Sequence, residues 1–177
     1  MYVSVVITCH NEDAYIKQCV NSVVAQSDYK HINEIFVVDD GSTDSSPQIL
    51  TQLKLNCDKL KIITTKGLGL PAARNVAIKS ATSDFIAFLD ADDYWYINKL
   101  EKIHETIVKF PDLDVLYHDE VEVRIDGARK MLNYGMLKDS VYDDLIFNGN
   151  RLSTSATVVK RELAQMINGF SENPDFN

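Results

Sequence analysis

A chain of 177 residues, 45% hydrophobic and 25% charged, is long enough for one domain with a real core and ordinary in make-up for a soluble globular protein. Its formal net charge is −8, with Lys and Arg scattered rather than gathered in a stripe, which argues against nucleic acid as a partner because backbone phosphates demand clustered positive charge. A small phosphorylated ligand stays open, since a few backbone N–H groups, one Arg and a divalent metal can hold it. No segment approaches the roughly 18 apolar residues of a membrane span. The opening Met1-Tyr2-Val3-Ser4-Val5-Val6-Ile7 reads as a strand that starts at once, not as a signal peptide. A cytoplasmic location is expected, at most docked on the inner face of a membrane. Cys9, Cys19 and Cys57 form an odd set without framework spacing and are expected as buried free thiols rather than zinc or redox groups.

The β-branched run Val3–Thr8 suits a strand buried on both faces. Apolar residues then recur at Tyr15, Ile16, Cys19, Val20, Val23 and Val24, the spacing of a helix with one buried stripe. A second strand at Glu34–Val38 ends in Asp39-Asp40-Gly41-Ser42, and Ser46-Pro47 predicts a helix start with Ser46 as N-cap and Pro47 in the first turn. Lys61–Thr65 is a third strand, followed by a Gly67–Gly69 loop and a helix from Pro71 to about Ala81. Phe85–Leu89 is a fourth, stopping at Asp90-Ala91-Asp92-Asp93, with a helix near Asn98–Phe110 beyond it. Alternation of strand and helix implies right-handed crossovers and a largely parallel sheet. The second half reads differently: a strand at Asp114–His118, a hairpin of Val121–Ile125 and Arg129–Tyr134 about Asp126-Gly127, a helix near Val141–Phe147, a strand at Ala156–Lys160 and a helix from Arg161. The fold class is therefore α/β, an open, mostly parallel sheet flanked by helices with a mixed, hairpin-containing second half. With no linker in view, residues 1–177 are expected as one domain, 1–110 binding the ligand and 111–177 forming part of the acceptor side.

The polar clusters share one position. Thr8–Glu12, Asp39–Ser42, Gly67–Arg74 and Asp90–Asp93 each follow the carboxyl end of one of the first four strands, and in a parallel sheet those ends face one crevice. Asp90, Asp92 and Asp93 would repel one another unless a hard divalent cation sat among them; the bland reading is a solvated turn and helix cap. Asp40 can accept a hydrogen bond from a nucleobase imide N–H or simply belong to a turn. His10 offers a flat face for a base to stack on, or is an exposed structural histidine. Arg74, in the first turns of a helix behind a glycine loop, can fork onto a diphosphate or sit on the surface.

Val3-Ser4-Val5-Val6-Ile7-Thr8-Cys9-His10-Asn11-Glu12, Val37-Val38-Asp39-Asp40-Gly41-Ser42-Thr43-Asp44, Ala73-Arg74-Asn75 and Phe88-Leu89-Asp90-Ala91-Asp92-Asp93 resemble, in order and spacing, the family 2 glycosyltransferases of GT-A fold. The resemblance implies an inverting, hexosyltransferase-type enzyme of polysaccharide biosynthesis. It would move a sugar from a nucleoside-diphosphate donor, usually UDP-linked, to a saccharide or lipid-linked saccharide acceptor with Mn²⁺ or Mg²⁺. On this chain it implies that Thr8 and His10 flank the base, that Asp40 binds its imide and that Arg74 faces the base or diphosphate. It makes Asp90, Ala91 and Asp92 the D-x-D element, with Asp90 and Ala91 on the nucleotide side and Asp92, seconded by Asp90, on the metal. Glu12 matches a frequent acidic position. The family often has Pro and Tyr where Thr8 and His10 stand, Asn at Gly67 and Pro at Ile97, which alters base stacking most. Its catalytic base usually follows a Gly-Phe segment, here Gly169-Phe170-Ser171-Glu172, in a Glu-Asp pair. Asn177 is reached before any such pair and Asp175 sits in an unmatched Pro174-Asp175-Phe176 setting, so no catalytic residue is expected within these residues. The rivals are a sugar-nucleotide pyrophosphorylase, which would need a Gly-rich loop directly after the first strand, and a non-catalytic nucleotide-binding module.

Overall fold

The structure is a computed structural model that describes residues 1–135 and 152–173. Its element order is β1 (Val3–Cys9), α1 (Ile16–Val24), a 3₁₀ turn (Tyr29–His31), β2 (Ile32–Asp39), α2 (Ser46–Lys54), β3 (Leu60–Thr64), α3 (Leu70–Ser80), β4 (Phe85–Asp90), α4 (Lys99–Lys109), β5 (Val115–Tyr117), β6 (Glu120–Val123), β7 (Arg129–Leu132), β8 (Thr157–Lys160) and α5 (Arg161–Met166). The helix expected near Val141–Phe147 lies outside the described residues.

The main sheet runs β3-β2-β1-β4-β8-β5. The four strands expected from the first half are parallel to one another, and β8 enters antiparallel to both β4 and β5. β6 and β7 form a separate antiparallel hairpin. All seven residues of β1 are buried because it has strands on both edges and helices on both faces. Strand side chains alternate between faces. Val3, Val5, Ile7 and Cys9 therefore pack with Ile16, Cys19, Val20 and Val23 of α1 and Leu100, Ile103 and Ile107 of α4. Val6, Phe36, Val38, Ile86 and Phe88 point the other way, onto Ala73, Ala77 and Ile78 of α3 and Ala164 of α5. The three cysteines are free and buried, as expected.

Two expectations shift. α2 begins at Ser46 itself, and the Ser46 side chain does not cap it. The Ser46 hydroxyl instead accepts the Glu12 N–H at 3.0 Å, while Asp44 takes the Ser46 N–H at 2.9 Å. A hydroxyl recruited to join two strand-end loops is no longer available to its own helix. The hairpin also closes through a longer loop than Asp126-Gly127 alone, because Arg124 N–H bonds the Ala128 carbonyl and Gly127 N–H the Arg124 carbonyl. Glu34 adds a feature that the apolar pattern hides: it is buried at the opposite end of the sheet, with a Lys61 ammonium at 2.6 Å and the Ser4 hydroxyl at 2.7 Å.

Candidate functional site

The strand order places β2 and β3 on one side of β1 and β4 on the other. This is a topological switch point, where an open α/β sheet forms a crevice beyond its strand ends. Register brings the polar residues level: Thr8 pairs with Asp90, Cys9 with Asp39, and Asp39 with Thr64. Alternation then selects the face. Thr8 and Asp90 follow Val6 and Phe88 onto the side covered by α3, which carries Arg74 in its second turn. The Arg74 guanidinium meets Asp90 Oδ1 at 2.6 Å, and the Thr8 hydroxyl donates to the same oxygen at 3.2 Å. Asp90 is also fixed through its backbone, whose N–H donates to the Ser155 hydroxyl at 3.0 Å.

The far side of Arg74 is closed by a residue from the other end of the chain. The Phe170 ring lies 5.2 Å from its guanidinium carbon and meets Phe88 edge-on. Asn75 holds that segment in place: its side chain donates to the Phe170 carbonyl at 2.9 Å and Glu172 Oε1 at 2.8 Å, and accepts the Phe170 N–H at 2.8 Å. A Cβ on Gly169 would stand 2.1 Å from Asn75 Oδ1, so only glycine fits that approach. The Gly-Phe motif of the sequence is thus a partner of Ala73-Arg74-Asn75. Asp175, the acid weighed beside it, lies outside the described residues.

Asp40 is buried and already occupied. It accepts the Leu68 N–H at 2.7 Å, the Gly69 N–H at 2.8 Å and the Thr65 hydroxyl. Burial alone would raise its pKa, but these hydrogen bonds outweigh it and hold the carboxyl below its ordinary value. A carboxylate offers about four acceptor sites, and Asp40 spends them first as the anchor of the 66–69 loop. Gly41 (φ 76°) allows that closeness, since a Cβ there would stand 3.1 Å from the Gly67 nitrogen. His10 is exposed at the mouth of β1, with Nδ1 2.7 Å from the Asp40 carbonyl and Nε2 3.1 Å from the Asn11 amide. A carbonyl only accepts, so Nδ1 carries the proton and neutral Nε2 accepts from Asn11. Asn11, in the left-handed region at φ 57°, also accepts the Thr43 N–H at 2.8 Å and the Asp44 N–H at 3.3 Å, a tie between loops not foreseen from the sequence.

The remaining carboxylates influence one another electrostatically. Glu12 is raised above its ordinary pKa by partial burial, then by the charges of Asp92 and Asp44. Asp93 is raised by the atoms packed around it and by Asp92, Glu120 and Asp90, against the Ser155 hydroxyl. Both shifts involve Asp92, which is itself exposed, so it sits within reach of two further acids. Among the described residues the three-ligand geometry of a ready-made metal cage is absent here. One or two carboxylates completed by phosphate oxygens are, however, what Mg²⁺-like ions accept, and the residues fit a metal that arrives with its ligand. Beside them a groove of about 1240 Å³ is lined by Asp92, Asp93, Trp95, Lys99, His118 and Glu120. Burial draws Lys99 down to about 7 against the pull of Glu120 and Asp93, and its ammonium donates to the Ser155 carbonyl at 2.8 Å.

The sequence profile of glycosyl transferase family 2 matches residues 4–162. The chain belongs to that family. An uncharacterised glycosyltransferase of Nostoc sp. is 34% identical over 176 residues, covering 94% of this chain and 53% of the relative. A poly(ribitol-phosphate) beta-glucosyltransferase of Bacillus spizizenii is 33% identical over 79% of this chain and 26% of its own length. This family 2 chain thus spans about half, or less, of such relatives. Among solved structures, Staphylococcus aureus TarS residues 1–349 with UDP superposes with a TM-score of 0.76 at 26% identity, covering 97% of this chain and 51% of that one. The same protein with UDP-GlcNAc gives 0.75. A Pyrobaculum calidifontis mannosyltransferase, solved with GDP-Man and Mn²⁺, shares the fold at TM-score 0.72 and 20% identity. The open α/β sheet is accordingly the GT-A fold of these enzymes. Among the described residues no helix is long and apolar enough to cross a membrane.

Proposed function

We propose that this chain binds a nucleoside-diphosphate sugar, UDP-linked, in the β1/β4 crevice and serves an inverting transfer of the sugar to a hydroxyl of a saccharide or lipid-linked saccharide. The observation that carries the reading is the Thr8–Asp90–Arg74 cluster at the switch point, set between the Asp40 loop and the acids around Asp92. The family profile and the UDP complexes of a structural relative support it, and the poly(ribitol-phosphate) transferases among the relatives support a hydroxyl-rich polymer as acceptor. The pyrophosphorylase alternative fits poorly, since Thr8–Glu12 contains no glycine.

The chemistry follows from the arrangement. Thr8, His10 and Asp40 line the end of the crevice where the base enters, His10 exposed at its mouth and Asp40 buried behind the loop it anchors. Asp90 and Arg74 hold each other in a fixed orientation, so the ribose and diphosphate meet preset donors and acceptors rather than mobile side chains. Asp92, with Asp90 second, would hold Mn²⁺ or Mg²⁺, which when bound supplies positive charge against the departing diphosphate. The groove beside Asp92 has room for the donor sugar and an acceptor, whose hydroxyl proton must be taken by a base within hydrogen-bond reach.

Calorimetric titration of UDP with and without Mn²⁺ tests the proposal. Binding that strengthens with the metal is expected; heat-silent titrations with UDP, GDP and CDP alike, in Mn²⁺ and in Mg²⁺, would remove the donor site.

A further inference from the structure

Away from the crevice, at the amino ends of the strands, three chemically apt side chains converge. Asp28 and His31 lie in the connection from α1 to β2, His31 directly before the first residue of β2, and His104 projects from the middle of α4. Asp28 Oδ2 is 2.7 Å from His31 Nδ1 and 3.0 Å from His104 Nδ1. One ligand atom from each residue falls within 4.8 Å of the others. The imidazole centroids are 4.3 Å apart with planes at 65°, so the rings converge edge to face instead of stacking. Hydrogen bonding satisfies only part of the cluster. His104 is in line with the carboxylate, whereas His31 Nδ1, though buried, has no hydrogen-bond partner among the described residues despite its short approach.

We propose that Asp28, His31 and His104 form a binding site for a divalent transition-metal ion of the Zn²⁺ type, separate from the metal of the donor site. The donor set decides the class: two imidazole nitrogens and one carboxylate oxygen suit Zn²⁺ or Co²⁺, whereas Mg²⁺ and Ca²⁺ select oxygen. A tetrahedral ion with bonds of about 2.0–2.1 Å spaces its ligand atoms roughly 3.3 Å apart, so the two carboxylate–imidazole contacts, at 2.7 and 3.0 Å, need to open by about 0.6 and about 0.3 Å. The ion would also give the unsatisfied His31 nitrogen its missing partner. Side-chain exposures of 14% for Asp28, 23% for His31 and 31% for His104 leave an entry path and room for water as fourth ligand. Lys30, 3.7 Å from the other carboxylate oxygen but 78% exposed, is free to swing outward as the ion enters. Such an ion would clip the α1–β2 connection to α4.

Cobalt titration of the full chain, prepared without a histidine tag and without nucleotide, reads the site directly through the visible absorption of tetrahedral Co²⁺. About one equivalent is expected to develop that spectrum, to be displaced by Zn²⁺ and to be unmoved by excess Mg²⁺. His31→Gln and His104→Gln should each weaken it at least tenfold while circular dichroism stays unchanged, and Asp92→Ala should leave it intact. Asp28→Asn is the further variant if either glutamine protein misfolds. Octahedral cobalt in the native chain, or equal affinity in folded ligand variants, overturns the site and leaves the trio as a hydrogen-bonded cluster only.

Discussion

Replacing Asn75 by Ala should release the segment that covers Arg74. The side chain makes three hydrogen bonds, to Phe170 N–H, the Phe170 carbonyl and Glu172, at 2.8–2.9 Å. At about 0.5–1 kcal/mol net for each partly buried bond, the loss is about 1.5–3 kcal/mol. For a chain of this size that corresponds to a fall in melting temperature of about 3–12 °C. The effect is local in origin, so amide exchange at Phe170 should accelerate more than exchange in β1 or β4. Asn75→Asp keeps the acceptor for the Phe170 N–H but sets a carboxylate against Glu172 and the Phe170 carbonyl. It should be as destabilising as Ala near neutral pH and recover as the medium is acidified. Undiminished protection of the Phe170 amide in a folded Asn75→Ala protein, with the melting temperature within a degree of the original, would refute this account of how the segment is held.

Asp92→Ala should abolish the metal-dependent part of UDP binding by calorimetry yet change urea stability by less than about 0.5 kcal/mol, because the residue is exposed and outside the core. Asp40→Asn should cost about 1–3 kcal/mol by loosening the 66–69 loop. Since the folded pKa of Asp40 lies below its unfolded value, its contribution is full above the unfolded pKa and lost as pH falls through the folded one. The variant's urea midpoint should therefore vary less than the parent's below about pH 4. Glu34→Ala should cost about 2–3 kcal/mol by thermal unfolding, for it strips the buried acceptor from Ser4 and Thr82, while the half-exposed Lys61 turns to solvent.

The parallel half of the fold was legible because local pattern decides it: Val3–Cys9 and Phe85–Asp90 are apolar runs that few other structures can bury. The convergence of the polar strand ends followed as well, since the carboxyl ends of parallel strands lie level in such a sheet. What each residue does there was less legible. Asp40 reads as an acid at a strand end, but its three partners come from a loop 25–29 positions later. Phe170 is 95 positions from the Asn75 that holds it, and Asp28 is 76 from His104. No periodicity carries such pairings; they exist only once β4, α3 and α4 have been laid against the sheet. Ser46 shows the same limit at short range, its hydroxyl drawn away from a helix start by a loop across the crevice.

The close passage of Gly41 against Gly67 has a consequence for anyone recombining relatives of this chain. The two loops touch backbone to backbone, with no side chain between them to absorb a mismatch. A graft that exchanges the loop after β2 while retaining the one after β3 brings in a spacing set by a different parent, and a methyl group added at position 41 would force the retained loop to give by a few tenths of an ångström at Gly67, next to the residues that bond Asp40. These stretches are inherited as a matched set: a crossover between residues 41 and 67 separates them, whereas one placed before β2 or after α3 moves both together.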